Sequence, residues 1–311
     1  MKTLVTGGAG FLGREFLRQM RAAGRETVST DRSGAVDFLG DLSDPAFCAT
    51  LPDAGAVVHC AAVQYLSPDL PLLARTAYFR RNNIEATACL AQRYADKATH
   101  FVFVGSSMMY EQNGAASYAP DSPMRAQGVY SASKLAAFEH VKRLPNRWAA
   151  VLPCIIAGPG RGGLFRPFAR SIARFGAAVF PGRGAHPVHM VHVEDAASVL
   201  VRVVAEGATG VFNAASPGPL SIDQWVDAIA EELGVHRVRR LRVPLAPIRW
   251  LSAATGFRLL AAEQLLMLRY PHVLGVERSI ALGWQPRRDN KEILRETVRA
   301  LLRGDINANQ V

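Results

Sequence analysis

The chain has 311 residues, 49% hydrophobic and 20% charged, with a formal net charge of +10. That composition leaves room for a two-lobed enzyme or two modest domains around a sizeable core, and it excludes a largely disordered chain. The four cysteines (Cys48, Cys60, Cys89 and Cys154) are widely spaced with no CxxC pair, which argues against a disulfide framework or a zinc site and suits a reducing compartment.

The positive charge comes with no nucleic-acid-binding motif. Its densest cluster, Arg237, Arg239, Arg240 and Arg242, reads first as a solvated rim and second as an attraction for an anionic substrate. No apolar run is long enough to span a bilayer, and a glycine loop beginning at Gly7 leaves no space for a signal peptide. The expectation is a soluble cytoplasmic protein acting on a small molecule, without nucleic-acid partner or membrane span.

In chain order, Lys2 to Thr6 is an apolar strand, followed by a glycine turn and a helix from Phe11 to Ala22. Thr27 to Thr30 makes a second strand ending at Asp31. Ala56 to His59, His100 to Val104 and Trp148 to Pro153 are three more, and Met190 to Val193 is expected to add another. Helices are predicted at Asn83 to Tyr94 and Val129 to Arg143. Ser221 reads as the cap of a later helix. The segment Arg242 to Tyr270, with Trp250 and Phe257, is apolar and punctuated by Pro244, Pro247 and Gly256; it reads as a lid packing over an apolar pocket. Gly304 to Asn309 reads as a frayed tail.

This alternation predicts an α/β fold of the Rossmann type, a doubly wound parallel sheet with a smaller, mostly C-terminal substrate-binding lobe. The expected boundaries are residues 1–160 for the dinucleotide-binding domain, with 188–215 returning to it, and 161–187 together with 216–311 for the lobe.

Three features carry chemistry. Gly7, Gly10 and Gly13, with Phe11 and Leu12, lie between the first strand and first helix, where a pyrophosphate meets free helix amides and no Cβ intervenes. Asp31 ends the second strand, placed to accept from both ribose hydroxyls and to repel a 2′-phosphate. NAD is therefore favoured, although the neighbouring Arg32 can receive that phosphate and NADP stays open. Asp41 and Leu42 follow a short strand that can meet the adenine, and Cys60, Ala61 and Ala62 are small residues where backbone passes close to the cofactor.

The third feature is Tyr130-Ser131-Ala132-Ser133-Lys134. Tyrosine and lysine four apart share a helix face, and the ammonium is expected to lower the phenol pKa for proton exchange with substrate. Ser106 and Ser107 follow the fourth main strand, where a hydroxyl can hold the substrate oxygen. His186, His189 and His192 complete no ligand set, so no metal is expected.

These motifs, with Gly158-Pro159-Gly160, His192 to Asp195 and Leu282 to Pro286, make the chain resemble the extended short-chain dehydrogenase/reductase family, the NAD-dependent epimerase/dehydratase family. The resemblance implies Ser106, Tyr130 and Lys134 as catalytic residues, Lys134 also on the nicotinamide ribose, Asn83 supporting the site, Pro153 among the cofactor contacts, and a homodimer. Ser107 and Met108 stand where family dehydratases carry acids, and Val188 where many nucleotide-sugar members carry an arginine. From Val243 to Pro286 the chain is similar to the 3β-hydroxysteroid dehydrogenase-like and 4-ketosugar reductase branches. The resulting expectation is an oxidoreductase acting on a secondary alcohol or ketone. A nucleotide-sugar epimerase is second, and a non-catalytic dinucleotide sensor third.

Overall fold

The computed structural model describes residues 1–311 apart from 66, 68, 72, 96–97, 146, 162, 164, 255–260 and 309–311. The expectation placed on Phe257 therefore lies outside the described residues.

The first half alternates strand and helix: β1 (Thr3–Thr6), α1 (Phe11–Ala22), β2 (Thr27–Asp31), β3 (Phe38–Leu39), α2 (Pro45–Thr50), β4 (Ala56–His59), α3 (Arg75–Phe79), α4 (Ala86–Tyr94) and β5 (His100–Val104). It continues with α5 (Val129–Lys142), β6 (Trp148–Pro153), β7 (Ile155–Ala157), α6 (Phe165–Phe175), β8 (Ala177–Pro181), β9 (Met190–His192) and α7 (Val193–Ala205). The remainder holds β10 (Gly210–Ala214), α8 (Ile222–Leu233), β11 (Arg239–Val243), α9 (Leu245–Ala254), α10 (Ala262–Arg269), α11 (Glu277–Ala281) and α12 (Asn290–Ala308).

Seven strands form one sheet in the order β10-β6-β5-β4-β1-β2-β3, and its strand pairs are parallel. Residues of β1, β4 and β5 are buried throughout, as strands covered on both faces must be, which is why they are continuous apolar runs. Strand order reverses between β1 and β4, so the crevice beyond their carboxyl ends is where an open sheet of this kind takes ligands. Helix α1 packs on α7, and α4 on α5.

A second apolar core draws on α6, β8, α8 and α12, with Trp225, Phe165 and Ile229 among its buried members. Trp284 and Leu274, by contrast, pack into the core of the main sheet. The C-terminal third thus contributes to both cores.

Several expectations change. Met190–His192 is a strand, but β9 pairs with β7 outside the main sheet, whose outer strand is β10. Pro244 and Pro247 do not prevent a helix: Pro244 precedes α9, and Pro247 falls in its first turn, where N–H groups have no helical partner. Gly304 to Ala308 continue α12. Helix α7 begins at Val193 and is capped by the His192 ring, which accepts from Glu194 N at 3.2 Å, so Glu194 and Asp195 lie inside its first turn. Among the described residues, no helix is long and apolar enough to cross a membrane.

Candidate active site

At the carboxyl edge of β1, the chain turns through Gly7, whose φ of +69° is left-handed. A Cβ on Gly7 would lie 2.7 Å from Ala61 N, and one on Gly13 only 2.1 Å from the Gly7 carbonyl oxygen, so both contacts require glycine. Gly10 caps α1 without a side chain, leaving the first amides of that helix facing open space. These residues, with Phe11 and Leu12, line a cavity of about 690 Å³, within the range usual for ligand sites.

Asp31 stands at the rim of this cavity. Its Oδ2 accepts from Ala9 N at 3.1 Å and its Oδ1 from Arg32 N at 2.7 Å, which fixes the carboxylate beside the glycine turn. The Arg32 guanidinium is engaged elsewhere, donating to Asn82 Oδ1 at 2.7 Å and Asp69 Oδ2 at 3.2 Å. Asp41 accepts from Ser43 N and pairs with Arg81 at 3.0 Å. Asp41, Leu42, Cys60, Ala61, Ala62 and Pro153 line the same cavity.

Asn83 does not. It is 1% exposed and sits on a wide π-type turn, Arg80–Glu85, leading into α4. Its Oδ1 accepts from Val63 N at 2.9 Å, and its Nδ2 donates to Val63 O at 3.1 Å and Ser133 Oγ at 2.8 Å. The asparagine ties the loop after β4 to the helix carrying Tyr130, behind the cavity wall. Its neighbour Asn82 lines the cavity instead.

Ser106, from the turn after β5, and Tyr130 and Lys134, from the first half of α5, converge on the cavity. The Ser106 hydroxyl and the Tyr130 phenol line it together, near enough for the serine to lower the phenol pKa. Ser107 is spent on packing: its Oγ meets His272 Nε2 at 2.7 Å, and His272 Nδ1 meets Gln112 Oε1 at 2.9 Å. The amide oxygen can only accept, so Nδ1 carries the proton and Nε2 accepts from Ser107. Of the two serines, Ser106 is therefore the one presented to the cavity centre.

The electrostatics correct one expectation. Burial raises the Tyr130 pKa; the Ser106 hydroxyl and the Arg161 charge oppose that, while Glu263 adds to it. Lys134 is not the cation that acts on the phenol here. Its Nζ donates to Val104 O at 2.7 Å and lies 4.3 Å from the Phe103 ring centroid, and burial lowers its pKa to about 7. At 2% exposure the ammonium loses hydration that one carbonyl and one ring replace only in part.

Three further residues, which no motif marks, complete the site. Arg161 lines the cavity with its guanidinium 5.5 Å from the Phe11 ring centroid, bridging the space between glycine turn and Tyr130. Its position directly after Gly158-Pro159-Gly160 is the only local sign of that role. Tyr65 packs against Tyr130, ring centroids 5.9 Å apart, and its hydroxyl accepts from Tyr130 N at 3.2 Å. Glu263 of α10, 1% exposed, accepts from Ser131 N at 2.9 Å and from Tyr65 OH at 3.0 Å. It caps α5, whose own cap residue, Gly128, has no side chain to do so; a Cβ on Gly128 would collide with the carboxylate.

The three histidines occupy separate environments: His186 lies in the loop before β9, His189 Nδ1 accepts from Leu274 N at 3.0 Å, and His192 caps α7. In the late arginine cluster, Arg242 pairs with Asp223 at 2.9 Å, and Arg240 with Asp223 and Asp227, on an exposed strand that does not line the cavity.

The family model described as the NAD dependent epimerase/dehydratase family matches residues 3–215. Epimerase family protein SDR39U1 from Homo sapiens is 25% identical over 299 residues, covering 92% of this chain and 95% of its own length. Among solved structures, MoeE5 in complex with UDP-glucuronic acid and NAD superposes with a TM-score of 0.79 at 22% identity, over 98% of this chain and 100% of that one. The UDP-glucose 4-epimerase of Thermotoga maritima, solved with UDP-glucose, gives 0.79 at 17% identity over 98% and 99%. These structures share the fold.

Proposed function

From the premise that the chain belongs to the NAD-dependent epimerase/dehydratase family, we propose that it is a nicotinamide-linked oxidoreductase that interconverts a secondary alcohol and a ketone. The observation that carries this reading is the convergence of Ser106 and Tyr130 at the carboxyl edge of β5, in one cavity with the glycine turn, Asp31 and Lys134.

The cradle fits a dinucleotide. Gly7, Gly10 and Gly13 open the backbone to a pyrophosphate, the start of α1 offers unpaired amides, and Asp31 is placed for the adenosine ribose. With the Asp31 carboxylate facing the cavity and Arg32 bound to Asp69 and Asn82, NAD suits the site better than NADP. A nicotinamide bound beside Tyr130 supplies a hydride to the ketone carbon, or takes one from the alcohol carbon.

The chain's own residues handle the oxygen and the proton. Ser106 donates to the substrate oxygen and polarises the carbon–oxygen bond. In the reductive direction Tyr130 passes its phenolic proton to that oxygen, so the C=O bond becomes C–H and O–H while reduced nicotinamide is oxidised. The raised Tyr130 pKa keeps this proton in place at neutral pH, which suits reduction. Arg161 stabilises the phenolate left behind. Lys134 is positioned to turn from Val104 toward a ribose hydroxyl when one is offered.

Transient oxidation of a nucleotide sugar, as in an epimerase, is the second reading. It is weakened by Val188, which lines the cavity as an apolar residue, and by the pairing of Arg240 and Arg242 with carboxylates. The test is Tyr130→Phe assayed by absorbance of reduced nicotinamide against a panel of ketones. Activity should fall by about 10²- to 10⁴-fold with dinucleotide affinity unchanged. Equal activity of variant and parent would end the catalytic reading and favour a dinucleotide sensor.

A further inference from the structure

Beyond Tyr130 the cavity is closed by residues of the second apolar core. Phe168 of α6, Phe180 of β8, Ile222 and Trp225 of α8, and Met267 and Leu268 of α10 line it. These side chains come from four elements, yet none carries a charge.

Three polar groups at the border are already engaged within the protein. Tyr65 OH donates to Glu263, Ser107 is bound to His272, and Gln264 Oε1 accepts from Ala261 N at 2.9 Å. The Trp225 indole N–H is buried without a protein partner. The start of α8, where free amides would draw a phosphate, is closed by the Ser221–Gln224 capping pair and holds Asp223 in its first turn.

Cations are few at this end. Among the described residues lining the cavity, the cationic ones are Arg32, Lys134 and Arg161. Arg32 is tied to Asp69 and Asn82 and Lys134 to Val104, while Arg161 stands by Phe11 with its charge directed to Tyr130. A diphosphate placed against Trp225 and Met267 would lose its water and meet no compensating charge.

Resting on the redox reading of the site, we propose that the substrate is an uncharged, bulky apolar ketone or secondary alcohol, such as a fused-ring compound, and not a sugar nucleotide. Its oxygen lies between Ser106 and Tyr130, and its carbon skeleton fills the space bounded by Phe168, Trp225 and Met267. The apolar wall then supplies affinity in proportion to the area it removes from water.

The experiment is calorimetric titration of the NAD-saturated protein with cyclohexanone, 1-decalone and UDP-glucose. Each buried methylene contributes about fourfold in affinity, so 1-decalone should bind about tenfold or more tighter than cyclohexanone, and tighter than UDP-glucose. Trp225→Ala should erase most of that preference while leaving cyclohexanone within about twofold. Met267→Lys, on a half-buried side chain that tolerates exchange better, should weaken 1-decalone and strengthen UDP-glucose. Equal affinity for the two ketones, or tighter binding of UDP-glucose, would overturn the proposal. Turnover of the same ketones is scored separately by nicotinamide absorbance: size-independent turnover keeps the redox reading and removes this one. The expected binding pattern without turnover would do the reverse.

Discussion

At the scale of single residues, the charge of Arg161 lowers the Tyr130 pKa. A lysine four positions along a helix shares a face with the tyrosine, but sharing a face does not fix where a long side chain ends. Lys134 is drawn inward to Val104 and Phe103, whereas Arg161, in the turn after β7, acts on the phenol through its charge. Since a positive charge favours phenolate, removing it raises the Tyr130 pKa. In the alcohol-oxidising direction, which needs the phenolate, Arg161→Met should move the rising limb of the pH–rate profile to higher pH. An unmoved limb with lower dinucleotide affinity would assign Arg161 to cofactor binding alone.

The motifs legible in the sequence are those whose meaning is local. Gly7 and Gly13 are required by atoms within one turn or the next strand, and Asp31 follows from the end of β2. Glu263 was beyond such reading because its partner Ser131 is 132 residues away. Nothing in Ala261-Ala262-Glu263-Gln264 signals that one carboxylate is buried and serving another helix.

At the scale of elements, α5 depends on α10. Gly128 leaves the first amides of α5 without a side-chain acceptor, and Glu263 supplies one at Ser131 while holding the Tyr65 ring against Tyr130. Glu263→Ala would strand a buried amide and a hydroxyl, so denaturant unfolding should show a loss of about 1–3 kcal/mol. Glu263→Gln keeps an acceptor for Ser131 N and should recover part of that loss. If both variants match the parent in stability, water replaces the cap and the dependence is absent.

Strands show the same division. β1, β4 and β5 announce themselves as apolar runs because both faces are covered. β10 carries Asn213, buried and accepting from Tyr110 OH at 2.7 Å, which disguises an outer strand as a loop. β7 is three residues, too short for a period to show, whereas β9, equally short, is legible as the run Met190 to His192.

For the molecule as a whole, buried histidines set an acid limit. Burial lowers His189 and His272 to about 4 and His59 to about 3, from an ordinary value of 6.5. His59 meets Thr6 Oγ1 at 2.7 Å and Thr87 Oγ1 at 2.9 Å, a linkage from β1 through β4 to α4. A depressed histidine pKa means that the unfolded chain binds the proton more readily. This contribution to stability is therefore intact above about pH 6.5 and declines as pH falls toward about 4. Thermal midpoints should be flat from pH 8 to about 7 and drop through that window. A flat midpoint down to pH 5 would show these rings to be hydrated or already charged.

Glu263, Met267 and Leu268 stand on one rod of eight residues, α10, with the carboxylate gripping the catalytic helix and the two apolar side chains facing the cavity. Under the proposed function, a guest that fills the chamber presses on the same rod that holds α5, so a poorly matched guest is expected to lose speed of reaction as well as hold.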